Sequence, residues 1–539
     1  MSKVLGRIAF ADKPESFSDI SISEVVRHRA ANTPDVVAFV TADRSCTWRD
    51  YDLTADRIAA ALACIESVGG SGVAIYLPDT MAVHAALCGA YRAGRVAAGI
   101  GFRSGTREIA HLMIKADCRV LITTATVRGR SCYDVVDDLQ RSGAQVLSVI
   151  VVDDDGAVEW GAADRTEVRR RVNSLESSDG TGVFTTSDTT LLNSTSGTTG
   201  LPKVVAHNEK KWIEFARLAM VGARITDVDV FCSAVPAPFG FGLWSAHFLP
   251  TLLGARTVVL EKFDVEVMID LIERERVTVL CCVSTQFKML LRSERVRTAD
   301  LSSLRVLYTG GEAVPYSEAL AFEERTGAKV LQFYGSNEAG AVSQTTLDDD
   351  HETRLKTCGH VIESMNVRIL SDNDNGSESE PRRGQPAVHG PLESLGYWQD
   401  EDANAELYTA DGWMLLGDIV DIDVAGRIRV VGRIADLIIR GGKNISAVDV
   451  EDLICAHPSV RAVSVVGVLD DVFGERVCAV VVTESGVELS MAMLSEWMRA
   501  QGITTEYIPE YVVLVDDLPT GPGGKVAKSE VRKLAVSRV

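Results

Sequence analysis

No CxxC pair, no histidine–cysteine group at zinc spacing and no apolar run approaching the roughly 18 residues of a membrane span occur in this 539-residue chain. The first two absences exclude a structural zinc ribbon and a dithiol redox site; the third excludes a spanning helix. The eleven cysteines are odd in number and scattered, and Cys281 and Cys282 adjoin inside an apolar run. They read as buried free thiols of a reducing compartment. Residues 1–13 carry no apolar h-region, which predicts no secretory leader and a cytoplasmic protein. Positive charge is also scarce. Fifty-five Lys and Arg stand against 75 Asp and Glu, a net charge of −20, which argues against a general nucleic-acid or anionic-membrane surface. An anionic ligand must then be met by locally placed cations. Length predicts roughly three to four units of ordinary domain size, each able to bury a core. No internal repeat or low-complexity array is present.

What the chain does have is one loop rich in small polar residues. After the apolar run ending at Leu192 come Asn193, Ser194, Thr195, Ser196, Gly197, Thr198, Thr199, Gly200, Leu201, Pro202 and Lys203. Such a loop can wrap backbone N–H groups and hydroxyls around a polyphosphate and bring one cation to it. It is not a P-loop, which needs Gly-Lys followed by Ser or Thr, because Lys203 follows proline. A solvated Ser/Thr/Gly linker has the same composition, so both readings stand at this point.

From about residue 70 to 340, short apolar runs alternate with helical patterns. Strands are expected at 72–77, 119–123, 256–260, 278–283, 304–308 and 329–333, and helices at 81–91, 265–272 and 317–325. This rhythm predicts an α/β fold of mixed or parallel sheets flanked by helices. Ligands bind such sheets where strands end. Gly310-Gly311-Glu312 and Tyr334-Gly335-Ser336-Asn337-Glu338 are expected just past strand ends. Residues 371–384 read as an exposed polar hairpin loop, followed by short strands through Arg433, a β-subdomain. A last α+β unit of about 100 residues follows, with a boundary near residues 433–436.

With those segments in order, the chain resembles the adenylate-forming superfamily of acyl-CoA synthetases, luciferases and peptide-synthetase adenylation domains. The resemblance spans nearly the whole chain and rests on Ser194 to Lys203, Tyr334 to Glu338, Gly417-Asp418, Gly432-Arg433, Gly441-Gly442-Lys443-Asn444 and Gly521 to Lys525. It implies a large N-terminal domain, 1–434, and a small mobile C-terminal domain, 435–539. It also implies two half-reactions. A carboxylate attacks the α-phosphate of MgATP to give an acyl-adenylate, and a thiol, usually coenzyme A, then displaces AMP. In this reading the Ser194–Lys203 loop holds the β- and γ-phosphates, Glu338 binds Mg²⁺ and Asn337 bonds the α-phosphate. Tyr334 stacks on adenine beside Gly335 and the wall formed by Gly310, Gly311 and Glu312. Asp418 accepts from the ribose hydroxyls and Arg433 donates to them. Lys525 bridges the carboxylate and the α-phosphate during adenylation. Gly441, Gly442 and Lys443 line the thiol tunnel in the second step, so the small domain must swing between two poses. His207 matches a family histidine beside the phosphate loop and reads as structural.

Several positions depart from the family pattern. Ala435 stands where the hinge usually has Asp or Lys, Asn337 where Thr is commoner, Val204 where glycine often follows Pro-Lys, and Phe239 where many relatives carry histidine. Amino-acid-activating relatives also place an Asp in the 235–244 segment, and none is present. Phe239, Phe241, Gly242 and Trp244 instead suit an apolar acyl pocket, and the same rings suit plain core packing. The expected substrate is a hydrophobic carboxylic acid, whether aromatic, alicyclic or medium-chain; the other partners are coenzyme A and, at most, a second copy of the chain. An acid:CoA ligase leads. The alternatives are a ligase confined to the thioester step, an acyl-AMP ligase loading a carrier protein, and a silent nucleotide-binding protein.

Overall fold

The computed structural model describes residues 20–65, 72–164, 170–172, 184–195, 201–311, 314–370, 382–440, 443–484, 487, 489–521 and 526–539. Its centre is two large sheets. The nine-stranded sheet runs, edge to edge, through His360–Val361, Gly340–Gln344, Lys329–Ser336, Val306–Gly310, Val279–Cys281, Val230–Ser233, Arg256–Val259, Val37–Val40 and Ser45–Thr47. From Lys329–Ser336 to Val37–Val40 its neighbours pair in parallel; both ends are antiparallel. The eight-stranded sheet likewise has a parallel centre, with Cys118–Thr123, Gly72–Ile75, Val96–Gly99 and Leu191–Ser194 adjacent. The central strands of both sheets are buried along their whole length, as strands covered by helices on both faces must be.

The helices between the strands begin and end where local chemistry says they should. Thr80 caps Met81–Arg92 by accepting from Ala82 N–H, and Asp264 caps Val265–Glu275 by accepting from Glu266 and Val267 N–H. One helical run, Gly240–Leu253, widens into a π-turn over Leu243–Phe248. Pro250 explains it: without an N–H it cannot donate to Ala246, and its ring crowds that carbonyl.

A smaller antiparallel sheet follows, built from Asn366–Leu370, Arg382–His389, Asp418–Ile422 and Ile428–Arg433. The C-terminal sheet comprises Lys443–Ile445, Ile438–Arg440, Gly474–Thr483 and Val460–Asp470, with Tyr511–Leu514 parallel to Gly474–Thr483. Its two faces carry separate apolar clusters, one around Val450, Val465 and Leu494 and another around Cys478, Val480 and Val531. The molecule is therefore α/β, with a large N-terminal and a small C-terminal domain. A short turn, Ile434–Asp436, with Ile434 and Ala435 exposed, joins strand Ile428–Arg433 of the smaller sheet to Ile438–Arg440 of the C-terminal sheet. Contacts across it are polar: Ser446 Oγ donates to Val431 O at 2.5 Å, and Arg429 lies 3.7 Å from Asp449.

The expected strands and helices stand within a few residues of the predicted bounds. The strand expected over 304–308 spans Val306–Gly310, and the helix expected over 265–272 runs on to Glu275. Residues 382–384, expected in a polar loop, instead open strand Arg382–His389 by pairing with Val420 to Ile422. The strand expected over 329–333 continues to Ser336, because Tyr334 to Ser336 pair with Gly340–Gln344 in a tight hairpin. Residues 371–381 lie outside the described residues. Cys281 and Cys282 are buried free thiols, as expected.

A buried polar pair, Asp79 and His84, lies beside the segment that carries Ala237. Asp79, 6 % exposed, accepts from the Ala237 backbone, and burial pushes its carboxyl up to about 8. His84, 3.9 Å away, is fully buried between Phe39 and His247, and burial drives its pKa well below the ordinary value. At neutral pH this is a contact between two uncharged groups, not an ion pair.

Candidate active site

Three loops meet at the carboxyl ends of the parallel strands. The first leaves Leu191–Ser194 and returns through Val204–His207, an antiparallel hairpin whose neck is closed by Thr195 N–H donating to Lys203 O at 3.1 Å. Ser194 is the last residue of the first strand and is buried. Ser196, Gly197, Thr198, Thr199 and Gly200, the tip of this loop, lie outside the described residues. Lys203 projects from the return strand, half-exposed, with Nζ 4.7 Å from the centre of the Tyr397 ring and 3.8 Å from Glu406.

The second loop is the hairpin after Lys329–Ser336. Gly335 is required there by close approach. A Cβ on it would sit 1.8 Å from Gly340 O across the turn. The hairpin presents Tyr334, Asn337 and Glu338. Tyr334 is buried and donates its hydroxyl to Asp418 Oδ2 at 3.0 Å. Burial and the Asp418 charge raise its pKa, so it remains a donor. Asp418 faces Arg433 across adjacent strands, with Arg433 Nε 3.6 Å from Oδ1. Three residues predicted to serve one nucleoside are thus one connected group. Gly310 ends strand Val306–Gly310 alongside Phe333, and Gly311 follows it at a left-handed φ of 80°. Glu312 lies outside the described residues.

Glu338 accepts from the Tyr397 hydroxyl at 2.8 Å through Oε1. The same ring lies under Lys203, so Tyr397 joins the loop lysine to the hairpin carboxylate. Nothing in the sequence reading pointed to Tyr397. The signal was an aromatic residue in a Gly-Tyr-Trp turn, among many such residues. Lys211 was missed for a similar reason, as one lysine on a helix of mixed polarity. It is 2 % exposed, donates to Asn337 O at 3.2 Å, and burial lowers its pKa to about 7 despite the nearby Glu338 and Glu393 charges.

The third segment is Val235–Trp244. Phe239 and Phe241 are half-buried, Gly242 is buried, and the Phe241 ring meets Phe333 edge-on at 5.0 Å. Trp244 is fully buried, stacked on Phe215 at 4.7 Å. It forms the floor behind Phe241, its centroid 6.0 Å away.

In the C-terminal domain, Lys443 opens strand Lys443–Ile445. Gly441, Gly442 and Lys525 lie outside the described residues.

The arrangement brings a tyrosine ring, an Asp–Arg pair and the Glu338 carboxylate around one hairpin, near an aromatic floor. Comparison with known proteins decides its family: the family described as AMP-binding enzyme matches residues 26–398, and its C-terminal domain matches residues 449–525. The chain belongs to the AMP-binding enzyme family. This AMP-binding enzyme is 31 % identical to the feruloyl-CoA synthase of an Amycolatopsis species, over 94 % of this chain and 97 % of that one. It is 27 % identical to the medium-chain fatty-acid–CoA ligase of Escherichia coli, over 97 % and 92 %. Its fold matches the ATP-bound MatB of Rhodopseudomonas palustris with a TM-score of 0.81 at 24 % identity, over 96 % and 99 % of the two chains. The AMP-binding enzyme described here is thus an adenylate-forming, AMP-releasing acyl-CoA ligase: adenylate formation precedes thioester formation.

Proposed function

We propose that this ligase activates a hydrophobic carboxylic acid, aromatic, alicyclic or medium-chain, with MgATP and transfers the acyl group to coenzyme A. The observation that carries this reading is the gathering of two linked groups, Tyr334 with Asp418 and Arg433 and Glu338 with Tyr397 and Lys203, around the one hairpin that follows Lys329–Ser336. In this reading adenine stacks on Tyr334, with Gly310, Gly311 and Glu312 beside it. Asp418 accepts from the ribose hydroxyls, which is what a carboxylate held by Arg433 and a tyrosine hydroxyl still has lone pairs to do. The loop from Ser194 to Lys203 receives the β- and γ-phosphates. Lys203 supplies their counter-charge locally in a chain whose net charge is −20.

Glu338 suits Mg²⁺. Tyr397 binds one carboxylate oxygen and leaves the other as a hard ligand, and magnesium usually takes one or two carboxylates together with substrate phosphates. When bound, the ion would neutralise charge on the departing pyrophosphate. Adenylation forms a bond from the acid's carboxylate oxygen to the α-phosphorus and breaks the bond to pyrophosphate. Lys525 is assigned to hold the negative charge shared by the incoming and α-phosphate oxygens. Thioester formation then joins the thiol sulfur to the acyl carbon and releases AMP. Gly441, Gly442 and Lys443 are assigned to the thiol arm in this step.

Lys525 and Gly441 belong to one small domain but serve one centre in turn, so residues 435–539 are read as swinging against 1–434. The exposed turn Ile434–Asp436 and the polar contacts around it support a hinge there. The acid is placed against Phe239 and Phe241, whose half-exposed rings support an apolar substrate.

Pyrophosphate release from MgATP, followed over a panel of carboxylates, tests the reading, with acyl-CoA formation measured in parallel. Hydrophobic acids should release pyrophosphate and yield acyl-CoA. Thioester from synthetic acyl-adenylate without pyrophosphate release would show an enzyme confined to the second step. Acylation of a carrier protein but not of coenzyme A would replace the acceptor. Silence in every arm would overturn the reading.

A further inference from the structure

Asn193 and His207 lie on the same face of the hairpin that leads into and out of the phosphate loop, where Leu191 pairs with His207 and Asn193 with Val205. Asn193 is 2 % exposed and His207 is fully buried. A buried amide and a buried imidazole in an apolar setting need partners. They have them in a closed pattern. Asn193 Nδ2 donates to Pro238 O at 3.1 Å and to Asn337 Oδ1 at 3.1 Å. Asn337 Nδ2 donates to Asn193 Oδ1 at 2.7 Å, and His207 Nε2 lies 2.7 Å from that same oxygen.

These contacts admit one assignment of donors. A proline carbonyl only accepts, so the Nδ2 end of Asn193 must face Pro238 and its Oδ1 end must face His207. The imidazole therefore donates from Nε2, and its tautomer is set. Burial and the neighbouring Lys211 hold the ring neutral. Flipping the Asn193 amide would put its nitrogen against the His207 N–H and its oxygen against the Pro238 carbonyl.

The same logic passes to Asn337. Its Oδ1 must meet the Asn193 nitrogen and its Nδ2 the Asn193 oxygen. Gly240 closes the other side of Oδ1: a Cβ there would stand 2.9 Å from that oxygen and 3.2 Å from Trp212. Lys211 grips the Asn337 carbonyl. What remains is one N–H, on the far side of Nδ2 from Asn193, with no acceptor among the described residues. A threonine at this position would offer a hydroxyl able to donate or accept. This side chain can only donate.

We propose that His207 and Asn193 are positioning residues that hold the Asn337 amide as a fixed N–H donor to a phosphate oxygen of the bound nucleotide. The proposal rests on the nucleotide reading above. It adds a reason why Asn serves at 337: the residue is paired with Asn193, and the pair is oriented by His207.

The test compares AMP with adenosine, which lacks only the phosphate, by calorimetric titration of the full chain. The variants are Asn193→Leu, His207→Leu and His207→Gln, the last keeping an N–H near the position of Nε2. AMP affinity should fall about tenfold in both leucine variants and less than about threefold in His207→Gln, the scale of one hydrogen bond to a charged group. Adenosine affinity should change less than about twofold throughout. Nitrogen-15 spectra, with the His207 signals assigned by their loss in His207→Gln, should show the neutral Nε2–H form of this ring in the parent and lose that signature in Asn193→Leu. Equal losses for AMP and adenosine would make the network merely structural and overturn the proposal, as would a His207→Gln no better than His207→Leu. A parent protein that binds adenosine but gains nothing from the phosphate would overturn the proposal alone. One that binds neither would overturn the nucleotide reading with it.

Discussion

The two ends of the candidate nucleotide site are built in opposite ways. At the ribose end Tyr334, Asp418 and Arg433 are linked through charge, and the Arg433 side chain is 51 % exposed with its Nε 3.6 Å from the carboxylate. At the phosphate end Asn193, His207 and Asn337 are neutral and close-bonded, with contacts of 2.7 to 3.1 Å. A half-open charged pair is screened by salt and adjusts to its ligand. A dry neutral network keeps one geometry and needs no reorganisation when charge develops beside it. In the proposed reading, the ribose contacts are the adaptable part of the site and the buried Asn193–His207–Asn337 cluster is its rigid part.

The largest test of that contrast removes the charge that a rigid neutral network cannot itself supply. Lys525→Ala is expected to lower ATP–pyrophosphate exchange about 10²–10³-fold, the scale of losing one electrostatic stabiliser. Thioester formation from supplied acyl-adenylate should stay within about threefold. Equal loss in both steps would break the assignment of Lys525 to the first step alone. At the adaptable end, Asp418→Asn is expected to raise the KM for ATP about ten- to a hundredfold with a smaller change in kcat. A kcat loss with unchanged KM would mean that Asp418 belongs to the rigid half.

Asp79 asks whether burial of neutral polar groups extends to the segment carrying Phe239, since its carboxyl accepts from Ala237. Its folded pKa of about 8 lies above the unfolded value of 3.8. The unfolded chain therefore binds fewer protons than the folded one between those values, and stability falls as pH rises through that window. Asp79→Asn removes the ionisation. It should raise the thermal midpoint at pH 8, by the equivalent of several kcal/mol (on the order of 5), and change it little near pH 4. Equal shifts at both pH values would show a packing effect instead. The smallest effect is expected at the domain contact. Arg429→Ala, losing a half-exposed pair with Asp449, should cost less than about 0.5 kcal/mol and move the ratio of the two half-reaction rates less than about twofold. A larger shift that survives high salt would mean the domain pose is held more tightly than its polar contacts imply.

The alternating apolar runs were legible because parallel strands buried on both faces and amphipathic helices leave strong periodic signals. The strands Gly72–Ile75 and Val306–Gly310 and the helices Met81–Arg92 and Val265–Glu275 stand within two or three residues of where those signals put them. The motif residues Tyr334, Asp418 and Arg433 were legible only as members of a pattern; their direct linkage came from strand register, which no local sequence encodes. Trp244 shows the limit of reading an aromatic as a pocket wall, since a π-turn caused by a proline six residues on helps set where the ring points. Lys211, Tyr397 and the role of His207 were not legible. Each acts through a partner between 14 and 194 positions away, and only the fold brings them together.

The turn Ile434–Asp436 carries a consequence for how this enzyme is paced. In the proposed swinging-domain reading, a three-residue tether would keep the C-terminal domain at a high effective concentration beside the large one, so each docking would be an intramolecular event. Exchange between the two proposed poses would then be first order, independent of enzyme concentration. Adding the severed domain in trans would have to overcome the whole of that local advantage to restore turnover.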